Sequence, residues 1–166
     1  RPSSIEINGT FYRTQTPGTY TKWAAQVPGG FVFSVKAPMR IVQARELAKT
    51  GGQVHSFLDG IVALGDALGP IVWQLDRGGR LGRDDFAAFL EVLPDALDRR
   101  PLRHVLDLRD PGFVDEDVLA LLRGHGFATV FTDSTEHPSF ADTTAHFVYA
   151  PLVRARSRIP NGYPAG

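Results

Sequence analysis

Cysteine is absent from this 166-residue chain, which excludes disulfides, thiolate zinc sites, iron–sulfur clusters and cysteine nucleophiles. No apolar run approaches the ~20 residues that a membrane-spanning helix requires, so no membrane partner is expected. Net charge is also missing: eighteen basic and eighteen acidic side chains cancel, and no overall field favours nucleic acid. Hydrophobic residues make up 43% of the chain, an ordinary share for a soluble globular protein, and we expect a cytoplasmic location.

Several short catalytic motifs are missing too. The chain has no His-Glu-x-x-His, no Gly-x-Ser-x-Gly and no P-loop, and neither Gly51-Gly52 nor Gly78-Gly79 has the spacing of a dinucleotide-binding fingerprint; both pairs are expected in turns. The five histidines form no recognisable metal pattern, so no metal ligand is predicted and no cofactor is identified. The basic run from Arg154 to Arg158 is more typical of a solvated loop than of a nucleic-acid site.

What the chain does have is six apolar, β-rich runs that each end in a polar residue. Stretches with helical patterns lie between most of them, and Gly69-Pro70 is expected to end one such helix. Strands that alternate with helices predict a parallel sheet, because a parallel partner is reached only through a crossover. The predicted strands are 5–8, 31–36, 71–75, 102–108, 127–132 and 147–149; the predicted helices are 20–26, 44–49, 57–68, 84–93 and 115–123.

The number of strands bears on the architecture. A parallel barrel usually has eight strands and roughly 250 residues. If these six belong to such a barrel, its first and last strands are absent, which would leave two unpaired edges. We therefore expect the residues to be part of a longer protein, or to have mobile ends; an open six-stranded sheet is the alternative. No internal repeat or linker is visible, so residues 1–166 are predicted to form a single, partial domain.

Polar residues at the strand ends are the candidate site, since α/β proteins bind ligands at the carboxyl ends of parallel strands. Side chains alternate along a strand, so Glu6 and Asn8 are expected on one face, with Lys36 at the end of the next strand. Asp107 and Arg109 repeat this spacing. A carboxylate in such an interior needs a partner, and a structural ion pair between Glu6 and Lys36 is the alternative to a site role.

Four more residues near strand ends have two interpretations each. Gln74 is either a site amide or a buried amide that satisfies backbone groups. Asp133 and Ser134 either belong to the site or cap a turn. Tyr149 is as consistent with core packing as with a ligand platform. Together these positions predict a mixed acid–base rim suited to an oxyanionic, hydroxyl-rich ligand, although three carboxylates could also hold a hard divalent cation.

The segment Ile5-Glu6-Ile7-Asn8-Gly9-Thr10-Phe11-Tyr12 resembles the "VEINsTFY" signature of the YecE-like family, domain of unknown function 72. The similarity runs in order from about Ile5 to Leu152, and several linked motifs make it specific. Further matches lie at 31–38, 73–75, 104–113, 132–134 and 147–149.

This resemblance implies a TIM-type barrel of about 250 residues, with a first strand before Arg1 and a last one after Gly166. It also implies that the activity is not securely established, although the family is loosely described as related to sugar isomerases. The matching site positions are Glu6, Asn8, Tyr12, Lys36, Gln74, Arg109, Asp133 and Tyr149, and Asp107 is a shortened version of a usual Glu.

Three positions depart from the family pattern. Gln43 and Asp110 stand where relatives typically have His, and Pro151 stands where they have Arg. Two imidazoles and one guanidinium are therefore gone. If any of them acts as a base or a phosphate clamp, this member is altered in substrate or catalytically weak.

The leading hypothesis is an incomplete TIM-type α/β barrel that binds or isomerises a small sugar-like or phosphorylated ligand. The alternatives are a metal-dependent phosphodiesterase or nuclease, which would need histidine ligands missing here, and a non-catalytic scaffold. A small polar ligand is the expected partner, and nucleic acid is not. The predicted catalytic residues are Glu6, Lys36, Asp107, Arg109 and Asp133, and the predicted ligand-binding residues are Asn8, Tyr12, Gln74, Ser134 and Tyr149.

Overall fold

Five β-strands lie side by side in the order in which they occur along the chain, and every pairing between them is parallel. The computed structural model describes residues 4–131 and 140–142. A further strand pairs antiparallel with the last of the five, and a two-stranded hairpin lies apart from the sheet. The strands are β1 (Ser4–Ile7), β2 (Val32–Lys36), β3 (Leu68–Leu75), β4 (Ala96–Leu97), β5 (Arg100–Pro101), β6 (His104–Leu108), β7 (Ala128–Phe131) and β8 (Phe140–Asp142).

The sheet has the order β1-β2-β3-β6-β7-β8. A sheet whose parallel strands follow the chain is wound in one direction, as in a barrel, whereas a doubly wound sheet reverses its order at a switch point. The fold is therefore α/β and consistent with an incomplete TIM-type barrel, as the sequence predicts. Five of the six predicted parallel strands are confirmed. The sixth, at 147–149, lies outside the described residues.

Helical segments connect the parallel strands. Asp115 starts the last α-helix by accepting a hydrogen bond from Val118 N (3.0 Å), and Gly126, at φ 68°, ends it. The α-helices are α1 (Pro17–Ala25), α2 (Met39–Val42), α3 (Gly51–Ile61), α4 (Arg83–Val92) and α5 (Glu116–His125). The 3₁₀ segments are Gly9–Phe11, Leu47–Lys49, Val62–Ala67 and Pro111–Phe113.

The helices cover one face of the sheet. Along β3, Ile71, Trp73 and Leu75 belong to the main core together with helix side chains such as Leu58 and Phe89. The alternate strand residues face the other side. There the strands alone form a small apolar cluster, made of Val72, Val105, Ala128 and Val130. In a barrel this second face is the interior, and the candidate site lies at its carboxyl end.

A buried histidine stands at the opposite, amino end of β6. Trp73 Nε1 donates to His104 Nδ1 (3.0 Å), and His104 Nε2 lies 2.7 Å from the carbonyl oxygen of Pro94. Since Nδ1 accepts, the ring proton is on Nε2, which donates to that carbonyl. Burial lowers the pKa of His104 to about 4, so the imidazole is neutral at physiological pH. His104 therefore acts as a core hydrogen-bond bridge.

A carboxylate from α4 fixes the segment that follows β2. Asp85 Oδ2 accepts from Leu47 N and Asp85 Oδ1 accepts from Ala48 N, both at 2.9 Å. These amides begin the 3₁₀ segment Leu47–Lys49, where the backbone itself offers no acceptor. Asp85 lies in the first turn of α4, which Gly82 precedes, and its carboxylate caps this neighbouring segment.

The sequence predicts that Gly69 and Pro70 end a helix, and this prediction is wrong. Both residues lie inside β3, which begins at Leu68. A Cβ atom at Gly69 would lie 2.8 Å from the carbonyl oxygen of Phe33. The glycine therefore permits close approach of β3 to β2, next to a register irregularity between Phe33 and Val35. The preceding α-helix ends at Ile61, and a 3₁₀ segment leads into the strand.

Two further segments differ from the predicted pattern. Gly51-Gly52 begins α3, although the sequence predicts a turn there. The β4–β5 hairpin is not predicted, because its turn places Asp98 and Arg99 at positive φ (49° and 64°), a conformation usually signalled by glycine. Within the described part of the chain, no helix combines the length and apolarity needed to cross a membrane.

Candidate functional site

Polar side chains from neighbouring strands meet at the carboxyl edge of the sheet, on the face opposite the helices. Gln74 and Asp107 are partners in the β3–β6 register, and Glu6 pairs with Ser34. Arg109 N donates to Leu75 O (3.0 Å), so the β3–β6 ladder continues one residue past β6 and keeps Arg109 on the side of Asp107. We call this set the polar edge: Glu6, Asn8, Lys36, Gln74, Asp107 and Arg109.

Asp107 and Arg109 form a two-pronged ion pair. Arg109 Nε donates to Asp107 Oδ1 (2.9 Å) and Nη2 donates to Oδ2 (2.8 Å), while Nη2 also lies 3.3 Å from Gln74 Oε1. Hydrogen bonding to Asp107 raises the pKa of Arg109, and the charges of Asp107, Asp76 and Glu6 add to this effect. The side chain of Asp107 is 9% exposed and that of Arg109 is 36% exposed. The prediction that both lie on one face is confirmed, and each neutralises the other.

Lys36 has a different environment. Its ammonium lies 4.9 Å from the centroid of the Phe11 ring, and among residues 4–131 and 140–142 no carboxylate lies within ion-pair distance of it. The contact described for Lys36 is thus aromatic rather than the expected ion pair with Glu6. Glu6 itself contributes to the electrostatic field at Arg109.

Thr10 fixes the turn that carries Phe11. The side chain is fully buried, and its single hydroxyl proton is shared between the carbonyl oxygens of Lys36 (2.6 Å from Oγ1) and Ile7 (2.9 Å). The exit of β1 is thereby tied to the end of β2. The sequence predicts no site role for Thr10 or Phe11, because a turn-rich loop gives no periodicity from which a contact across 26 residues could be read.

Three of the predicted ligand-binding residues are described by the structure: Asn8, Tyr12 and Gln74. Asn8 is exposed and follows β1, and its carbonyl oxygen accepts from Phe11 N (3.0 Å). Tyr12 is 79% exposed and meets the Phe11 ring edge to face, with centroids 5.1 Å apart. Gln74 contacts the Arg109 guanidinium. The predicted residues that lie outside the described residues are Asp133, Ser134 and Tyr149.

Two of the three positions that depart from the family pattern are described. Gln43 is exposed at the end of α2. Asp110 Oδ1 accepts from Gly112 N (3.1 Å), so this side chain stabilises a local turn. Neither residue is among the polar-edge contacts given above. Pro151 lies outside the described residues.

Ser34 is a further residue for which the sequence predicts no site role. Its side chain lies on the same face as Glu6 and Lys36, is 6% exposed, and its Oγ has no hydrogen-bond partner within the described ranges. A buried hydroxyl without a partner costs free energy, which sets Ser34 apart from the other buried polar side chains described here. An isolated serine in an apolar strand gave no sign of this.

Metal binding has no support from the described side chains. In residues 4–131 and 140–142, no three His, Asp or Glu side chains are placed together so that they could hold a metal ion. A cleft of about 290 Å³ lies away from the polar edge and is lined by residues of α1, α2 and α3, including Tyr20, Arg40 and Asp59. No polar-edge residue lines it.

Solved structures with a similar fold come from two bacteria. A DUF72 family protein from Enterococcus faecalis V583 has a TM-score of 0.62 and 18% identity, over 76% of this chain and 53% of that protein. A DUF72 family protein from Thermotoga maritima MSB8 has a TM-score of 0.60 and 19% identity, over 86% of this chain and 56% of that one. The chain thus spans about half the length of these proteins. At this identity the likeness supports the fold alone.

Curated proteins give no match to the chain. The model of one family, described as "Protein of unknown function DUF72", matches residues 1–165. This match covers nearly the whole chain and agrees with the resemblance at Ile5–Tyr12 and with the similar solved structures. The chain belongs to the DUF72 family.

Proposed function

We propose that the polar edge binds a small, hydroxyl-rich anion, sugar-like or phosphorylated, and supports its isomerisation by proton transfer. The observation that carries this proposal is that Lys36, Glu6 and the Asp107–Arg109 pair lie on one face of the sheet, at the carboxyl edge of neighbouring parallel strands. Enzymes of barrel architecture place their chemistry at this edge.

Each residue of the polar edge has a distinct role in this proposal. Lys36 receives the anionic group, and Gln74 and Asn8 supply amide groups that suit hydroxyls. Both oxygens of Asp107 accept from Arg109. We assign proton transfer to Glu6, because it lies on the strand next to Lys36 and on the same face of the sheet. In an isomerisation, Glu6 removes a proton from the hydroxyl-bearing carbon next to a carbonyl and returns it to the carbonyl carbon, while the proton of that hydroxyl passes to the former carbonyl oxygen. A cation of the polar edge stabilises the negatively charged oxygen of the enediolate intermediate.

Calorimetric titration of the intact protein tests binding. The ligands are inorganic phosphate, sugar phosphates, sugar acids and the neutral parent sugars. Lys36→Met keeps most of the side-chain length and removes the charge, so the anions should bind roughly tenfold more weakly or worse. Lys22→Met, on the exposed surface of α1, is the matched control and should leave affinity unchanged. Equal affinities of wild type and Lys36→Met would contradict the proposal.

Proton transfer has a separate test. A bound substrate that isomerises in D₂O should gain deuterium at the carbon next to its carbonyl, which proton NMR detects. Glu6→Gln should stop this exchange and leave anion binding in place. Exchange that continues in Glu6→Gln would refute the role of Glu6, whereas binding without any exchange would limit the function to ligand binding.

A purely structural role for the polar edge is the second candidate, and the closed Asp107–Arg109–Gln74 network favours it. Under this alternative, Arg109→Lys and Lys36→Met would lower the free energy of unfolding and leave every ligand affinity unchanged. The same titrations, run beside urea unfolding, separate the two functions.

A further inference from the structure

The two cations of the polar edge differ in how their charge is used. The Arg109 guanidinium is engaged by both oxygens of Asp107 and by Gln74. The Lys36 ammonium faces an uncharged aromatic ring instead. An aromatic face attracts a cation through its quadrupole without neutralising it. Among residues 4–131 and 140–142, no carboxylate is paired with Lys36, so its charge and its N–H donors stay available to a ligand.

The ring under Lys36 is held in place from two sides. Phe11 packs against the main core and meets Tyr12 edge to face. The adjoining Thr10 hydroxyl is hydrogen-bonded to the carbonyl of Lys36 itself. The same residue, Lys36, thus anchors the turn through its backbone and is supported by that turn through its side chain.

This arrangement matters because a lysine side chain is flexible. Ordering a free lysine on ligand binding costs conformational entropy, and a side chain already held by a ring has less to lose. The Asp107–Arg109 pair offers no such advantage to an anion, since a ligand would have to displace a carboxylate from the guanidinium.

We infer that Phe11 and Thr10 are positioning residues that present Lys36 to the anionic group of the ligand, and that this group meets Lys36 rather than Arg109. The inference rests on the proposed function and sharpens it: the ligand carries one anionic group, phosphate or carboxylate, at the β1–β2 side of the edge. Its hydroxyl-bearing part extends toward Gln74.

Inorganic phosphate is the probe, because it isolates the anionic group. Phe11→Leu keeps an apolar side chain and removes the ring, and phosphate should bind roughly three- to tenfold more weakly. Phe11→Tyr retains the ring and should restore most of the affinity. Thr10→Val removes the hydroxyl and should weaken binding in the same direction, whereas Thr10→Ser should preserve it.

A spectroscopic readout separates positioning from mere stability. In the ligand-free protein, the ε-methylene protons of Lys36 should be shifted upfield by the ring current of Phe11. The shift should vanish in Phe11→Leu and persist in Phe11→Tyr. Arg109→Lys keeps a cation but disrupts the two-pronged pair with Asp107, and it should weaken phosphate binding less than Lys36→Met does. Acetate and sulfate titrations then distinguish a carboxylate from a phosphate-like group.

The outcomes distinguish this inference from the proposed function. If Lys36→Met loses phosphate while Phe11→Leu binds it as wild type does, the positioning role is wrong and the proposed site stands. If Arg109→Lys loses phosphate as severely as Lys36→Met, the assignment of the anion to Lys36 is wrong. If Lys36→Met binds phosphate normally, or wild type binds none, both the inference and the proposed function fail.

Discussion

Acidification should destabilise the protein through His104, and the size of the effect follows from its burial. Desolvation lowers the pKa of this imidazole from 6.5 to about 4. At about 1.4 kcal/mol for each pKa unit, the neutral, buried His104 contributes about 3 kcal/mol. The folded state binds fewer protons than the unfolded state between these two pKa values. This stability is therefore fully present above about pH 6.5 and is lost as the pH falls toward 4.

The measurement is urea unfolding at a series of pH values, for wild type and for His104→Gln. The variant is expected to be less stable at pH 7, because Trp73 Nε1 and the Pro94 carbonyl lose their shared partner. The difference in the free energy of unfolding between the two proteins should shrink by about 3 kcal/mol between pH 7 and pH 4. Carboxylates titrate in both proteins, so they cancel in this difference.

His55→Gln is the matched control. This histidine lies in α3, and its side chain is 64% exposed. The pH dependence of its unfolding free energy should follow that of wild type within about 0.5 kcal/mol. Parallel curves for wild type and His104→Gln would show that the buried imidazole does not govern the acid sensitivity, and the reasoning from burial would then be wrong.

Two further predictions concern the sheet and the segment after β2. Gly69→Ala would place a methyl group against a β2 carbonyl and should lower the free energy of unfolding, measured in urea, by roughly 1–3 kcal/mol. Gly52→Ala is the control: its helical position is open, so the free energy of unfolding should stay the same or rise. A neutral Gly69→Ala would contradict the close approach. Asp85→Ala removes two hydrogen-bond acceptors and should lower the free energy of unfolding by about 1–3 kcal/mol. Asp84→Ala, exposed on α4, should lower it less. Equal losses in the two variants would argue against the capping role of Asp85.

Much of the fold could be predicted because strand and helix periods are local properties. Alternation along β6 was enough to place Asp107 and Arg109 on one face, and the structure confirms their pairing. The parallel pairing of the strands also followed from alternation with helices, since parallel neighbours need crossovers. The strand order did not, because a doubly wound sheet alternates in the same way. The boundary at Gly69 could not be predicted, because glycine there serves a contact with β2 and not a helix end.

The candidate site was only partly accessible to sequence reasoning. Residue type and strand position indicated Lys36 and Glu6, but not that an aromatic ring lies under the ammonium. That contact depends on the path of a loop, which residue periodicity does not encode. The roles of Asp133, Ser134 and Tyr149 stay predictions from strand position and from resemblance.

The bond from Asp85 to the amides of Leu47 and Ala48 has a consequence for how this surface can vary. These hydrogen bonds join α4, which follows β3, to the 3₁₀ segment Leu47–Lys49, which follows β2. Two consecutive crossover connections are therefore linked to each other. A change in the first turn of α4 would therefore also disturb the 3₁₀ segment Leu47–Lys49, in the crossover that leaves β2. Substitutions in one crossover unit can then change the conformation of the preceding one.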